Sequence, residues 1–96
     1  MGSIYMIVNK INNKKYIGLT SKSIQRRWNE HLREASKNTH RYLYHAINKY
    51  GSENFEIIEL EKNVPEEELN DREQFYINKY MTYENGYNLT LGGDRC

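Results

Sequence analysis

Glu73 is the residue whose setting most demands a chemical explanation. It falls four residues after Leu69 and four before Ile77, with Tyr76 and Tyr80 on the same helical stripe. An ionised carboxylate on an apolar face is costly unless it is paired or bound to a metal. A salt bridge to an internal arginine is one answer. The other is a hard divalent cation such as Mg²⁺ or Mn²⁺, which needs only one or two carboxylates plus waters and phosphate oxygens. One carboxylate so placed points to one ion. Arg27 and His31 are likewise four apart, so they project from one side of a helix, on the stripe of Ile24, Trp28 and Leu32. The planar guanidinium binds two phosphate oxygens at once and keeps its charge. It therefore suits the negative charge that builds on phosphorus in a transition state. Arg26 competes for that role, but the company of Trp28 and His31 favours Arg27 and leaves Arg26 to a backbone phosphate. His31 titrates in the working range and can orient or deprotonate a tyrosine or a water; a structural histidine is the plain alternative.

Tyr5 and Tyr16 stand on two strands joined by a short turn, where side chains meet on one face. Strand tyrosines are usually core residues with a satisfied hydroxyl. A phenol acts as a general base only if its pKa falls well below about 10, and Arg27 with a bound metal would supply that pull. Asn88, after Asn85-Gly86, reads on its own as a turn residue that bonds its own backbone.

These side chains need elements to hold them. Ile4–Val8 is a short apolar run that reads as a buried strand, Lys10–Lys14 is turn-like, and Lys15–Gly18 returns, giving a β-hairpin. Thr20, Ser21 and Ser23 offer N-cap side chains for a helix through Ala35. A second helix carries Leu43, Ala46, Ile47 and Tyr50, with Gly51 placed to end it. Phe55–Leu60 reads as a third strand. Pro65 followed by Glu66, Glu67 and Glu68 starts a third helix, because carboxylates suit the positive end of its dipole. The expected order is β-β-α-α-β-α with a tail marked by the Gly92-Gly93 loop.

Ninety-six residues suit one core and hence one domain over 1–96. No apolar run approaches the roughly 20 residues that span a bilayer, and no signal-peptide core precedes the first strand. The lone cysteine, Cys96, offers no internal disulfide and no zinc ligand set, so an intracellular protein is expected. The formal net charge of +1 hides an asymmetry. Ten Lys/Arg against two acidic residues give +8 over residues 1–50, and four against eleven give −7 over 51–96. A polyanionic partner for the first half is one reading, and mutual neutralisation across the fold is the other. Lys10, Lys14, Lys15, Lys22, Arg26, Arg33, Lys37 and Arg41 would supply the phosphate-facing surface. Nothing in the pattern sets an oligomeric state, so a monomer is the default.

Ser3-Ile4-Tyr5, ten residues, then Tyr16-Ile17-Gly18 resembles the signature pair of the GIY-YIG nuclease family, with Ser3 where glycine is usual. The remaining motifs follow in order: Arg27-Trp28 with His31, His40 where homing-endonuclease members often have a second histidine, Arg72–Ile77 around Glu73, and Asn85-Gly86-Tyr87-Asn88. The resemblance runs over roughly residues 3 to 94 and is most similar to phage and intron-encoded homing endonucleases. It implies an α+β fold, a three-stranded antiparallel sheet (3–9, 14–18, 54–60) flanked by helices. It implies DNA as partner and metal-dependent phosphodiester hydrolysis on one ion held by Glu73. Both tyrosines would line the site; Tyr5 is favoured as base and Tyr16 as positioning group, with the reverse assignment open. Asn88 would brace the site, and His40 would be auxiliary. Relatives of this kind carry a separate DNA-binding domain after the catalytic one, so the chain reads as a catalytic part or as a compact stand-alone relative. A DNA-binding module that keeps the fold without the chemistry is the competing reading.

Overall fold

The computed structural model describes residues 1–37 and 42–88. The expectations placed on His40, Arg41, Gly92-Gly93 and Cys96 lie outside the described residues. Strands β1 (Gly2–Asn9) and β2 (Lys15–Thr20) form the opening hairpin, followed by helices α1 (Ile24–Lys37) and α2 (Tyr42–Tyr50). Strand β3 (Phe55–Val64), helix α3 (Leu69–Tyr80) and the single turn α4 (Thr82–Asn85) complete the order. The sheet is antiparallel throughout with β1 in the centre, in the order β2-β1-β3.

The apolar run at β1 has a simple cause. Tyr5 and Ile7 point into a cluster with Ala35, Leu43 and Ile47 of α1 and α2, whereas Ile4 and Met6 point into a second cluster with Leu69 and Ile77 of α3. A strand covered on both faces reads as continuous rather than alternating hydrophobicity. Each fully buried isoleucine here contributes about 1.5–3 kcal/mol through apolar surface removed from water. The hairpin loop is shaped by asparagines: the Asn9 and Asn12 side chains accept from the Ile11 and Lys14 amides at 2.9 Å each, and Asn13 takes a left-handed φ of 65°.

Ser23 begins α1, its hydroxyl accepting the Arg26 amide at 3.2 Å. Gly51, at φ 88°, closes α2 by returning its amide to the Ile47 carbonyl at 2.9 Å. Beyond shifts of one or two residues at β1 and β2, which runs on from Gly18 to Thr20, two boundaries differ from the sequence expectation. β3 continues past Leu60 to Val64, because irregularities between Gly2 and Tyr5 on β1 let the pairing shift and resume. Beyond Pro65, Glu66–Glu68 wind into a 3-10 turn, and the α-helix proper starts at Leu69. Arg72 then ties α3 to β3, donating to Glu61 at 2.7 Å while lying over the Phe75 ring.

Candidate active site

The hairpin register places Tyr5 opposite Gly18 and Ile7 opposite Tyr16. Tyr5 and Tyr16 are therefore diagonal neighbours on the face toward α1, with ring centroids 6.3 Å apart. Gly18 makes this possible. A Cβ there would collide with the Tyr5 hydroxyl and crowd the Tyr16 ring at 3.0 Å. Tyr5 is fully buried, whereas Tyr16 is half-buried and borders open space.

His31 closes over both rings from α1. Its Nε2 lies 2.7 Å from the Tyr5 hydroxyl and its Nδ1 lies 3.1 Å from the Tyr44 hydroxyl on α2. With the proton on Nδ1, the imidazole accepts from Tyr5 and donates to Tyr44, which gives a buried three-member hydrogen-bond chain. Burial pushes the Tyr5 phenol well above its ordinary value, and the neighbouring Tyr16 adds to the rise. Arg27 pulls the other way by charge and hydrogen bond, as expected from sequence, but burial outweighs it.

Arg27, one helical turn before His31, reaches toward Tyr5 and donates to Glu30 Oε1 at 3.0 Å. Burial works against its charge, yet the Tyr5 phenol and the Glu30 carboxylate outweigh burial and raise its pKa. Lys22 donates to the other oxygen, Oε2 of Glu30, at 2.7 Å. Hydrogen bonds from Lys22 and then Arg27 hold the Glu30 carboxyl down at about 2. An open cleft of about 550 Å³ lies beside this triad, lined by Tyr16, Arg27, Glu30, Arg33, Glu34, Lys37 and Tyr44.

Glu73 lies on the buried stripe of α3 between Leu69 and Ile77, where the helix packs on β2 and β1, and is 6% exposed. It does not line the cleft, but its charge adds to the rise in the Tyr5 pKa, so it stands within electrostatic range of Tyr5. A single buried carboxylate near a phenol cluster is a donor set that fits a hard cation completed by waters and phosphate oxygens. Among the described residues no group of three or more His, Cys, Asp or Glu offers an alternative cage. Asn88 is buried and reaches back to β2, where its Oδ1 accepts the Ile17 amide and its Nδ2 donates to the Ile17 carbonyl, both at 2.8 Å. It thus holds the strand segment that carries Tyr16 and Gly18.

The cationic residues are not all brought to one place. Arg33 and Lys37 join Arg27 at the cleft, and Lys22 joins through Glu30. Arg26 is exposed on α1. Lys14 borders a separate hollow of about 480 Å³ beside α2 and α4, and Lys15 donates to the Asn13 carbonyl at 3.0 Å. Two participants went unnoticed in the sequence. Tyr44 meets His31 only through packing of α2 on α1, so no spacing signals it. Glu30 carried a usable signal, since it is three residues beyond Arg27 and within helical pairing reach.

A three-stranded α+β sheet with paired tyrosines, a helix-borne Arg and His, and a buried Glu defines a catalytic domain of the GIY-YIG class, and the chain belongs to the GIY-YIG catalytic domain family, whose model matches residues 1–88. The chain is similar to intron-associated endonuclease 1 of Enterobacteria phage T4, at 37% identity over 97% of this chain and 39% of that protein. It is also similar to a probable intron-encoded endonuclease 1 of Neurospora crassa, at 36% identity over 92% of this chain and 30% of that protein. It therefore spans well under half the length of these curated relatives. Among solved structures, a mutant of the catalytic domain of intron endonuclease I-TevI superposes with a TM-score of 0.85 at 33% identity, covering 99% of this chain and all of that one. No helix among the described residues is long and apolar enough to cross a membrane.

Proposed function

We propose that the chain is a DNA endonuclease that hydrolyses a phosphodiester bond with the help of one divalent ion, Mg²⁺ or Mn²⁺. The observation that carries this reading is His31 bridging the hydroxyls of Tyr5 and Tyr44 beside Arg27. It is a ready-made proton outlet next to a guanidinium. The scissile phosphate sits in the cleft against Arg27, which faces the charge developing on phosphorus. The attacking water is held on the Tyr16 side and gives its proton to Tyr5, whose own proton passes to His31 Nε2. Glu73, within electrostatic range of Tyr5, is the residue that would hold the ion, which would supply charge stabilisation to the leaving 3′ oxygen. Asn88 holds β2 in place under Tyr16. Arg33 and Lys37 contact flanking phosphates, the exposed Arg26 extends that surface along α1, and Lys14 and Lys15 offer a separate cationic patch at the hairpin turn. Burial of Tyr5 argues that ion and DNA together are needed before its phenol becomes a competent base. The chain's share of its longer relatives fits a catalytic unit that works with further polypeptide for target choice.

The test is supercoiled plasmid incubated with Mg²⁺ or Mn²⁺, comparing the wild type with Glu73→Ala. Metal-dependent conversion to nicked or linear forms that the variant loses is the expected result. Absence of metal-dependent cutting, or equal cutting by the variant, refutes it; DNA binding without any cutting would favour the chemistry-free module.

A further inference from the structure

The triad Lys22–Glu30–Arg27 has a geometry that its charge count does not explain. Each oxygen of one carboxylate is taken by a different cation, Oε2 by Lys22 at 2.7 Å and Oε1 by Arg27 at 3.0 Å. The two cations come from different places, Lys22 from the turn after β2 and Arg27 from the first turn of α1. The backbone on both sides is pinned: the Lys22 amide donates to buried Thr20 Oγ1 at 3.0 Å, and the Arg27 amide caps onto the Ser23 carbonyl at 3.0 Å. Two anchored cations converging on two oxygens of a single anion is also the arrangement that receives two non-bridging oxygens of a phosphodiester. The seat opens on the cleft already lined by Tyr16, Arg33 and Lys37.

We propose that Lys22 and Arg27 form a phosphate seat that the Glu30 carboxylate fills in the DNA-free chain, so that DNA must displace Glu30 to engage it. The proposal rests on reading the cleft as the phosphodiester site and adds to it a built-in competitor. Exchange is feasible because the Lys22 and Glu30 side chains reach solvent at 44% and 19%, and partly exposed ion pairs are individually weak. Glu30 is charged at neutral pH, because both cations hold its carboxyl down at about 2. A metal ion on Glu30 is disfavoured by the same contacts, since both carboxylate oxygens already carry a cation.

The competitor has a consequence for affinity. In the wild type, seating a phosphate swaps one anion for another and leaves Glu30's charge nearby. In Glu30→Gln the phosphate enters against a neutral neighbour. Inorganic phosphate is titrated without metal into the 96-residue wild type and the variant, following the Arg27 Nε–H resonance by NMR. The variant should bind about three- to tenfold more tightly, the scale set by two partly exposed ion pairs. Adding Lys22→Gln to Glu30→Gln should return the affinity towards that of the wild type. A short DNA duplex, bound in EDTA across a salt series, should show the same gain with a salt slope steeper by about one, as for one more phosphate charge neutralised. Equal or weaker phosphate binding by Glu30→Gln overturns the seat, whatever the DNA result. A gain for phosphate in a protein whose wild type neither binds nor cuts DNA supports the seat and instead refutes the nuclease reading.

Discussion

Replacing Asn88 by alanine should destabilise the whole domain, although the residue lies 71 positions from its partner. The Asn88 amide satisfies both the N–H and the C=O of Ile17 at 2.8 Å, and Ile17 is fully buried. In an antiparallel pair alternate residues of an edge strand turn both polar groups away from the neighbouring strand. On β2 that would leave the Ile17 groups facing nothing else of the sheet. Removing the side chain orphans a donor and an acceptor, each worth about 1–3 kcal/mol when left buried and unpaired. Some water entry will soften this, so a loss of about 2–4 kcal/mol is expected, out of the roughly 5–15 kcal/mol that hold a domain together. The melting temperature followed by circular dichroism should fall by about 8–30 °C, at about 4–8 °C per kcal/mol for a domain of this size. Asn88→Asp is the sharper variant. It keeps an acceptor for the Ile17 amide but turns a second acceptor toward the Ile17 carbonyl, so it should be no more stable than Asn88→Ala. A melting point within about 3 °C of wild type for Asn88→Ala, or an aspartate clearly better than the alanine, would show that the brace carries little.

Gly18→Ala puts a methyl group against the Tyr5 hydroxyl, and overpacking of this kind costs about 1–3 kcal/mol. It should shift Tyr5 off His31, so plasmid cutting should fall by about a hundredfold or more while the fold survives at 20 °C; cutting within fivefold of wild type would contradict the placement. The Tyr5 phenol also predicts alkaline behaviour. Its folded pKa lies above the ordinary value of about 10, so above that pH the unfolded chain releases a proton that the folded chain keeps, and stability falls as pH rises. Below pH 10 it contributes no slope. Urea unfolding of the metal-free protein at pH 9, 10 and 11 should show the decline, and Tyr5→Phe should flatten it; identical slopes in the two proteins would remove Tyr5 as the cause.

The architecture was readable because its causes are local. The run Ile4–Val8 had no alternation to suggest a solvent face, and β1 is covered on both sides. The stripe through Leu69, Glu73 and Ile77 is the face that α3 buries. What escaped the sequence depends on contacts between elements. β3 runs on to Val64 because of irregular pairing on a different strand, and the left-handed Met81 allows a further helical turn where only the Asn85-Gly86 turn was legible. At the site, the Arg27 and His31 spacing puts both residues beside Tyr5, and the pull of Arg27 on the phenol is present as expected, but without an ion burial sets the balance. Depth in the core is a property of the assembled fold, and here it outweighs a cation that the sequence does disclose. Asn88 reads on its own as a turn residue, and only the family resemblance suggests a brace; which strand its amide is spent on, at the opposite end of the chain, no local pattern discloses.

That long-distance brace also has a consequence in time. The hairpin that carries Tyr5 and Tyr16 leaves the ribosome ahead of its brace, because the Tyr87 amide on the Lys15 carbonyl at 2.9 Å and the Asn88 side chain on Ile17 arrive 71 or more residues later. At about 5–20 residues per second, that is a delay of about 4–14 s. Until then the outer edge of β2 is an open template for another strand. The nascent domain is thus most exposed to mispairing before the turn at 85–88 is made, and its tyrosine pair is set only once that segment has left the tunnel.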